Sequence, residues 1–402
     1  MEAREIRGIQ IAEKGGLEQT KHGWIVPAQW GSGHYFVQRK GGRYVCDCPD
    51  CQTRNLTCKH TYAVMHTIQK TTDTQGNTTV TETKKVTYSQ NWKAYNKAQT
   101  GEITSFDELL KDLVENVEEP IRDPSLIGRK PLTLRDGLFC SIQKVYSQLS
   151  SRRAYTLYKN ASQKEQLNKV PNFNAINKFL NREEITPLLH QLLTLTALPL
   201  KSVETTFAPD SSGFRTTQFN QYCVEKHGTK KQHHWVKAHI LVGTKTNVIA
   251  SAQITPENGA DCLQFNPLLT EAYNGGFTIK EVVADKAYTS RENYNLVNEL
   301  GATAYLPFKS KDGGKSRGSV TWKRMYHYFM LNRDEFMQHY HQRSNVESAF
   351  NMIKAKFGDK LKSKNYKAQE NEMLCKLIAH NICVLIQEMH ELKIKPDFKP
   401  DL

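Results

Sequence analysis

The sequence predicts an α/β protein in which a mixed sheet with flanking helices is preceded by a helical region and a small ββα module. Three observations carry this. Short β-prone runs alternate with helical patterns between residues 203 and 306, residues 105–200 show only helical periodicity, and four cysteines crowd between Cys46 and Cys58.

The chain has 402 residues, enough for two or three domains and a substantial core. Lys and Arg outnumber Asp and Glu by 55 to 41, a formal charge of +14, which points to a polyanionic partner, nucleic acid ahead of an anionic membrane. No apolar run approaches about 18 residues and the opening M-E-A-R-E-I lacks the apolar core of a signal peptide, so the expectation is an intracellular protein without a membrane partner. Nine cysteines in such a chain argue against a disulfide framework. Four are metal candidates, and Cys140, Cys223, Cys262, Cys375 and Cys383 read as small buried hydrophobes.

Residues 1–69 form the first predicted domain. Runs 24–26, 35–38 and 43–46 are β-prone and separated by Gly-rich turns at 31–33 and 41–42; after Cys58 a helical pattern begins with Tyr62, Met65 and Ile68. At the junction stands C-D-C-(x9)-C-K-H. Cys46, Cys48, Cys58 and His60 supply the four soft or borderline ligands of a tetrahedral Zn2+ site, and a C-x-C hairpin followed by C-x-H at a helix start resembles the SWIM zinc finger. Cys51 offers a competing C-x2-C pair and His66 is a spare ligand; unliganded cysteines are the plainer reading. Residues 70–87 read as a linker, with seven threonines in the sixteen residues 70–85 and little to bury.

Residues 88–200 read as a helical DNA-binding region. The box Ser105-Phe-Asp-Glu108 opens a helix with Leu109, Leu110, Leu113, Val114 and Val117 inward, and Pro120, Pro124 and Pro131 break the chain. Thr133, Ser150 and Asn172 start three further helices, the last two carrying Arg152, Arg153, Lys159, Lys164, Lys169, Asn174, Asn177, Lys178 and Arg182. Two readings stand side by side: a helix-turn-helix that reads DNA, or a helical spacer with a solvated basic face.

Pro187 opens a leucine-rich helix, after which residues 201–392 turn to strands. Run 203–208 leads into P-D-S-S-G-F and places Asp210 just beyond a strand end. Runs 234–242 and 247–254 are the next two strands, 261–273 a helix, and 279–284 a buried strand delivering Asp285 in V-V-A-D-K-A-Y; Thr289 caps the next helix and 303–306 is a fifth strand. This order is that of an RNase H-like domain, with carboxylates on the first and fourth strands and a third on a later helix. A final helix over 371–392 presents Leu374, Leu377, Ile378, Ile382 and Leu385, which read as core packing behind the site, and 393–402 is a tail.

The third carboxylate lies in F-M-Q-H-Y-H-Q-R-S-N-V-E-S-A-F-N-M-I-K-A-K-F, residues 336–357, which reads as one amphipathic helix. At about 100° per residue, Tyr340, Arg343, Glu347 and Lys354 fall within an arc of roughly 60°. A carboxylate flanked by two cations and a phenol suits a phosphodiester, the plainer alternative being a solvated face with ion pairs along the helix.

The pattern Y-x2-R-x3-E-x6-K, with D-S-S-G and A-D-K-A-Y upstream, resembles the signature of bacterial and archaeal insertion-sequence transposases, the large family numbered four. The resemblance implies that Asp210, Asp285 and Glu347 hold two Mg2+ (or Mn2+) ions, and that Tyr340, Arg343 and Lys354 grip phosphates of double-stranded DNA. It implies hydrolysis at transposon ends, transfer of the freed 3'-hydroxyl to target DNA, a homodimer pairing the two ends, and a cytoplasmic, nucleoid-associated prokaryotic protein. Only 62 positions separate Asp285 from Glu347, too few for the β-rich insertion of some relatives. Rival readings are a nuclease that cuts without integrating and a DNA-binding regulator with an inert core.

Overall fold

The structure, a computed structural model, describes residues 3–20, 22–28, 33–40, 43–54, 57–72, 78–82, 91–121, 131–216 and 235–398, which belong to two compact units, Met1–Gln90 and Asn91–Leu402. Gly31, Gly41, Gly42, Pro124, Cys223 and His234 lie outside the described residues, as does the side chain of His66.

In the first unit, helix α1 (Ala3–Lys14) precedes an antiparallel sheet of β1 (Glu18–Thr20), β2 (Gly23–Pro27), β3 (His34–Lys40) and β4 (Arg43–Cys46), followed by α2 (Pro49–Arg54) and α3 (Lys59–Thr67). Strands β2 to β4 and helix α3 fall where the pattern predicts them, whereas α1 and β1 have no counterpart in that reading. Helix α1 packs on α3 through Gly8, where a Cβ would stand 2.4 Å from the Tyr62 Cβ and 2.8 Å from the Lys59 carbonyl. The core is small: Ile11, Trp24, Val26, Val37, Ala63 and Val64, completed by the four cysteines 46, 48, 51 and 58. Part of the expected linker pairs instead as an antiparallel ladder of β5 (Ile68–Thr72) and β6 (Thr78–Glu82). Threonine-rich segments have little to bury, but β-branched residues favour extended backbone and a ladder satisfies itself through main-chain bonds.

The second unit begins with α4 (Trp92–Glu115), capped by Asn91, whose side chain accepts from the Ala94 N–H at 3.2 Å. Ser105 is therefore interior to a helix rather than its start; the box motif is present, but the helix continues upstream of it. Helices α5 (Leu134–Tyr146), α6 (Ser151–Gln163) and α7 (Phe173–Phe179) start at Thr133, Ser150 and Asn172 as expected, and α8 (Ile185–Ala197) begins two residues before Pro187. The sheet comprises β7 (Thr206–Arg215), β8 (Trp235–Gly243), β9 (Ile249–Pro256), β10 (Glu281–Val283) and β11 (Thr303–Tyr305), in the order β11-β10-β7-β8-β9. Strands β7 to β9 form an antiparallel meander, and β10 and β11 add in parallel on the other side of β7. The predicted RNase H-like mixed sheet is thus present.

Helices α9 (Asp261–Asn274), α10 (Arg291–Glu299), α11 (Val320–Leu331), α12 (Arg333–Tyr340), α13 (Ser344–Phe357) and α14 (Tyr366–Glu391) complete the unit. Helix α10 is capped by Ser290, not Thr289, whose hydroxyl donates to the Pro307 carbonyl at 2.8 Å. A single continuous core runs from Ala98 in α4 to Phe398 and joins the helical segment to both faces of the sheet. Helix α14, buried over most of its length, runs through it against α4, α5, α8 and β9, and its buried positions include polar residues such as Asn371, Lys376, His380 and Asn381 beside the apolar ones. Its buried Asn381 accepts from the Ile249 N–H at 2.9 Å and donates back to the Ile249 carbonyl at 2.9 Å, fixing the start of β9. Cys140 and Cys375 are buried as expected, whereas Cys262 and Cys383 are half-buried. Among the described residues no helix is long and apolar enough to cross a membrane.

Candidate active site

The register of β7 and β10 brings two of the acids together. Phe207 pairs with Val282 in parallel, and Asp210 and Asp285 each stand three residues further on. Strand β10 ends at Val283, so Asp285 leaves the sheet; β7 does not end at Ala208 but continues to Arg215 against β8. Asp210 is therefore inside a strand rather than beyond one. The D-S-S-G run signals a turn in isolation, but β8 offers Ser211 to Arg215 a full set of partners.

The third acid arrives on a broken helix. Residues 336–357 are not one helix: α12 ends at Tyr340, His341–Arg343 tighten into a 3₁₀ turn, and α13 starts at Ser344. No Pro or Gly causes this. His339 stacks on Tyr305 of β11 and contacts Glu281 of β10 at 3.1 Å, whereas Asn345 donates to the Thr244 carbonyl at 2.6 Å beyond β8. The two helices are thus tied to different strands, and the Ser344 hydroxyl, donating to the His341 carbonyl at 3.1 Å, competes locally for a helical acceptor.

The turn sets Arg343 among all three acids. Its Nη1 donates to Glu347 Oε1 at 2.9 Å, and Nη2 lies 3.8 Å from Asp210 Oδ2 and 3.7 Å from Asp285 Oδ2. Its Nε is buried without a partner. Burial pushes the Asp210 carboxyl above the usual range; the Ser211 N–H and Arg343 oppose this, and Glu347 and Asp261 add to it. Burial likewise raises the Tyr340 phenol, with Arg343 pulling down and the three acids pushing up. Lys354 lies to one side, donating to Ser212 Oγ at 2.7 Å over the Phe214 ring. Asp210, Ser212 and Phe214 share one face of β7 by the two-residue period, and α13 packs on that strand. The structure thus brings Asp210, Asp285, Glu347, Arg343 and Tyr340 into one cluster, with Lys354 beside it. Three hard carboxylates around one cationic group fit a divalent metal such as Mg2+ or Mn2+ in donor type.

The opposite face of β7 holds residues that the sequence reading did not single out. Ser211 donates to Asp261 Oδ1 at 2.7 Å, and Lys237 and His239 of β8 approach the same oxygen at 2.6 and 3.3 Å. Although burial opposes it, the Lys237 ammonium and the Ser211 hydroxyl hold Asp261 below the usual carboxylate range. This network locks the backbone beside Asp210. Tyr288, the last residue of A-D-K-A-Y, is buried with its hydroxyl unpartnered; burial, then Asp210 and Asp261, push its phenol up. The motif contains Tyr288, but only tertiary contacts bring it to the acids.

In the first unit the four favoured ligands meet. Cys46, Cys48, Cys58 and His60 are buried, with their ligand atoms within 4.8 Å of one another. His60 Nδ1 lies 3.8 Å from both Cys46 Sγ and Cys58 Sγ. Zinc bonds of about 2.3 Å to sulfur and about 2.0 Å to nitrogen imply tetrahedron edges of about 3.5–3.8 Å, so the spacing fits. The neighbouring Cys46 and Cys58 thiols compete for one proton, which pushes Cys46 up and Cys58 well below its ordinary value. Backbone N–H groups of Cys48 and Cys51 donate to Cys46 and Cys48 sulfurs, each at 3.4 Å. Cys51 is buried but stands outside the ligand group.

A cryo-EM structure of a piggyBac transposase synaptic complex with hairpin DNA aligns over 73% of this chain and 74% of that one, at 11% identity and a TM-score of 0.35, a likeness too slight to bear on function. The sequence comparison is direct: residues 201–382, which contain β7 to β11, all three acids and the Arg343 turn, match the family described as Transposase DDE domain. Residues 201–382 are thus similar to a transposase DDE domain.

Proposed function

We propose that the protein is a DNA transposase that cuts phosphodiester bonds at transposon ends and joins the freed 3'-hydroxyl to target DNA. The observation that carries this is the convergence of Asp210, Asp285 and Glu347 on one guanidinium within a transposase DDE domain. In this reading the three carboxylates hold Mg2+ or Mn2+, whose chemistry is to stabilise charge on the attacking and leaving oxygens. Arg343, relieved of the acids, turns to a phosphate oxygen, and Tyr340 donates from a phenol that burial keeps protonated. Lys354 reaches the backbone beside Ser212. The Asp261 network holds the strand so that Asp210 does not swing away.

Cys46, Cys48, Cys58 and His60 hold zinc and give the first unit its fold, a SWIM-type finger that serves DNA or protein recognition. The signature Tyr340, Arg343, Glu347, Lys354 supports the insertion-sequence family numbered four, and the pairing of two ends requires a homodimer on DNA. The test is incubation of the purified protein with Mg2+ or Mn2+ and DNA carrying the sequences that flank its gene. Cleavage at those ends with transfer into a second DNA supports the reading; cutting without joining reduces it to a nuclease, and DNA binding without metal-dependent cutting leaves a regulator.

A further inference from the structure

Some of the positive charge that the acid cluster does not use gathers in one place. A cleft of about 420 Å³ opens between α5, α6, α7 and the segment leading into α14, and no acidic side chain lines it. Its charged walls are Lys144, Lys362 and Lys364. Lys144 is only 7% exposed and its ammonium donates to the neutral amide oxygen of Asn177 at 3.0 Å. Burial holds it below the ordinary lysine value, partly offset by Glu372. Glu372 is itself engaged by the N–H groups of Lys362 and Ser363 at 2.8 and 2.7 Å. Lys362 donates to the neutral Gln148 carbonyl, so the buried Lys144 ammonium and the two lysines beside it meet no carboxylate in the cleft wall, a site short of an anion. The cleft wall also includes the first turn of the 26-residue α14, whose preceding Asn365 donates to Asn181 at 2.8 Å instead of capping it.

We propose that this cleft takes a backbone phosphate of the DNA whose cleavage is assigned above to the three acids, and the proposal rests on that reading. A phosphate oxygen accepts from ammonium and backbone N–H groups alike, which is the donor set present. The position is suitable. Strand β7 runs from Asp210 to Arg215, roughly 17 Å at about 3.3 Å per residue. There the Arg215 N–H donates to the Asp359 carbonyl at 2.9 Å and the Leu361 N–H to the Arg215 carbonyl at 2.8 Å, and Lys362 follows. Lys354, at Ser212, stands between the two ends. At about 3.4 Å rise per base pair this path spans on the order of five base pairs, so a duplex with its scissile bond at the acids brings a flanking phosphate to Lys362.

The test compares full-length wild type with Lys144→Met, which keeps the apolar stem, and with Lys362→Ala/Lys364→Ala, which alters exposed residues. Inorganic phosphate should raise the wild-type Tm beyond chloride at equal ionic strength, and both variants should lose that rise; equal protection of all three proteins overturns the cleft as a phosphate site. In DNA binding without added Mg2+, the variants should lose about one unit from the slope of log K against log salt. Unchanged slope and affinity overturn the DNA assignment even where phosphate protection is lost. Failure of the wild type to bind any DNA sinks the transposase reading and this assignment of the ligand together, whereas the phosphate arm still decides the cleft separately.

Discussion

Arg343 and Glu347 are joined at 2.9 Å by an i to i+4 ion pair across the junction of a 3₁₀ turn and a helix, and the same guanidinium reaches both aspartates. The cation therefore competes for the carboxylates that the proposed reaction gives to metal. Unit charges about 4 Å apart interact by about 4 kcal/mol at an effective dielectric near 20, an upper figure for this partly solvated site. Arg343→Gln should tighten Mn2+ binding to the DNA-free protein by roughly tenfold or more while weakening DNA binding. Electron spin resonance of free Mn2+ reads the first effect, and unchanged Mn2+ affinity would show that the arginine does not compete with metal.

The acids themselves should separate cutting from binding. Asp210→Asn, Asp285→Asn and Glu347→Gln preserve volume and should each lower metal-dependent cleavage on the order of a thousandfold or more, with DNA affinity retained. A variant that cleaves at the wild-type rate removes its residue from the metal site.

The acids were legible because each stands in a local pattern: a strand run before Asp210 and Asp285, a helical pattern around Glu347. The geometry between them was not. The tightening at His341–Arg343 comes from contacts of His339 with Glu281 and of Asn345 with Thr244, partners 58 and 101 residues away, and the continuous periodicity of 336–357 conceals it. The same holds for Ser211 with Asp261, 50 residues apart, where neither the D-S-S-G run nor the helix start at 261 signals the other. The Cys/His cluster was readable because metal chemistry restricts residue type and spacing together, whereas the continuation of β7 past Asp210 depended on β8 supplying partners.

The cysteine cluster predicts a separable unit. With only six non-cysteine residues in its buried apolar core among the described residues, the first unit should depend on metal, whose binding contributes about 10–16 kcal/mol in small zinc peptides. Purified protein should carry one zinc per chain. A strong chelator, or Cys58→Ser with His60→Ala, should expose residues 3–67 to protease while residues 91–398 keep their thermal transition. Absence of stoichiometric zinc in elemental analysis would end the zinc assignment.

The last prediction concerns pH and lies away from both sites. Glu388 on α14 is buried, and its carboxyl is pushed up to about 7 by that burial and then by Glu391 and Glu204. Its folded value lies above the ordinary glutamate value of about 4.3, so the unfolded chain releases this proton first. Below that ordinary value the group costs nothing. As pH rises towards 7 the unfolded state gains by ionising while the folded state holds the proton, and stability falls, by up to about 3 kcal/mol once pH exceeds the folded value. Glu388→Gln keeps the neutral shape at every pH. It should therefore match wild type near pH 4.5 and exceed it at pH 8, and urea denaturation at the two pH values measures the difference. Equal stability of the two proteins at pH 8 would mean that Glu388 ionises in the folded state at its ordinary value.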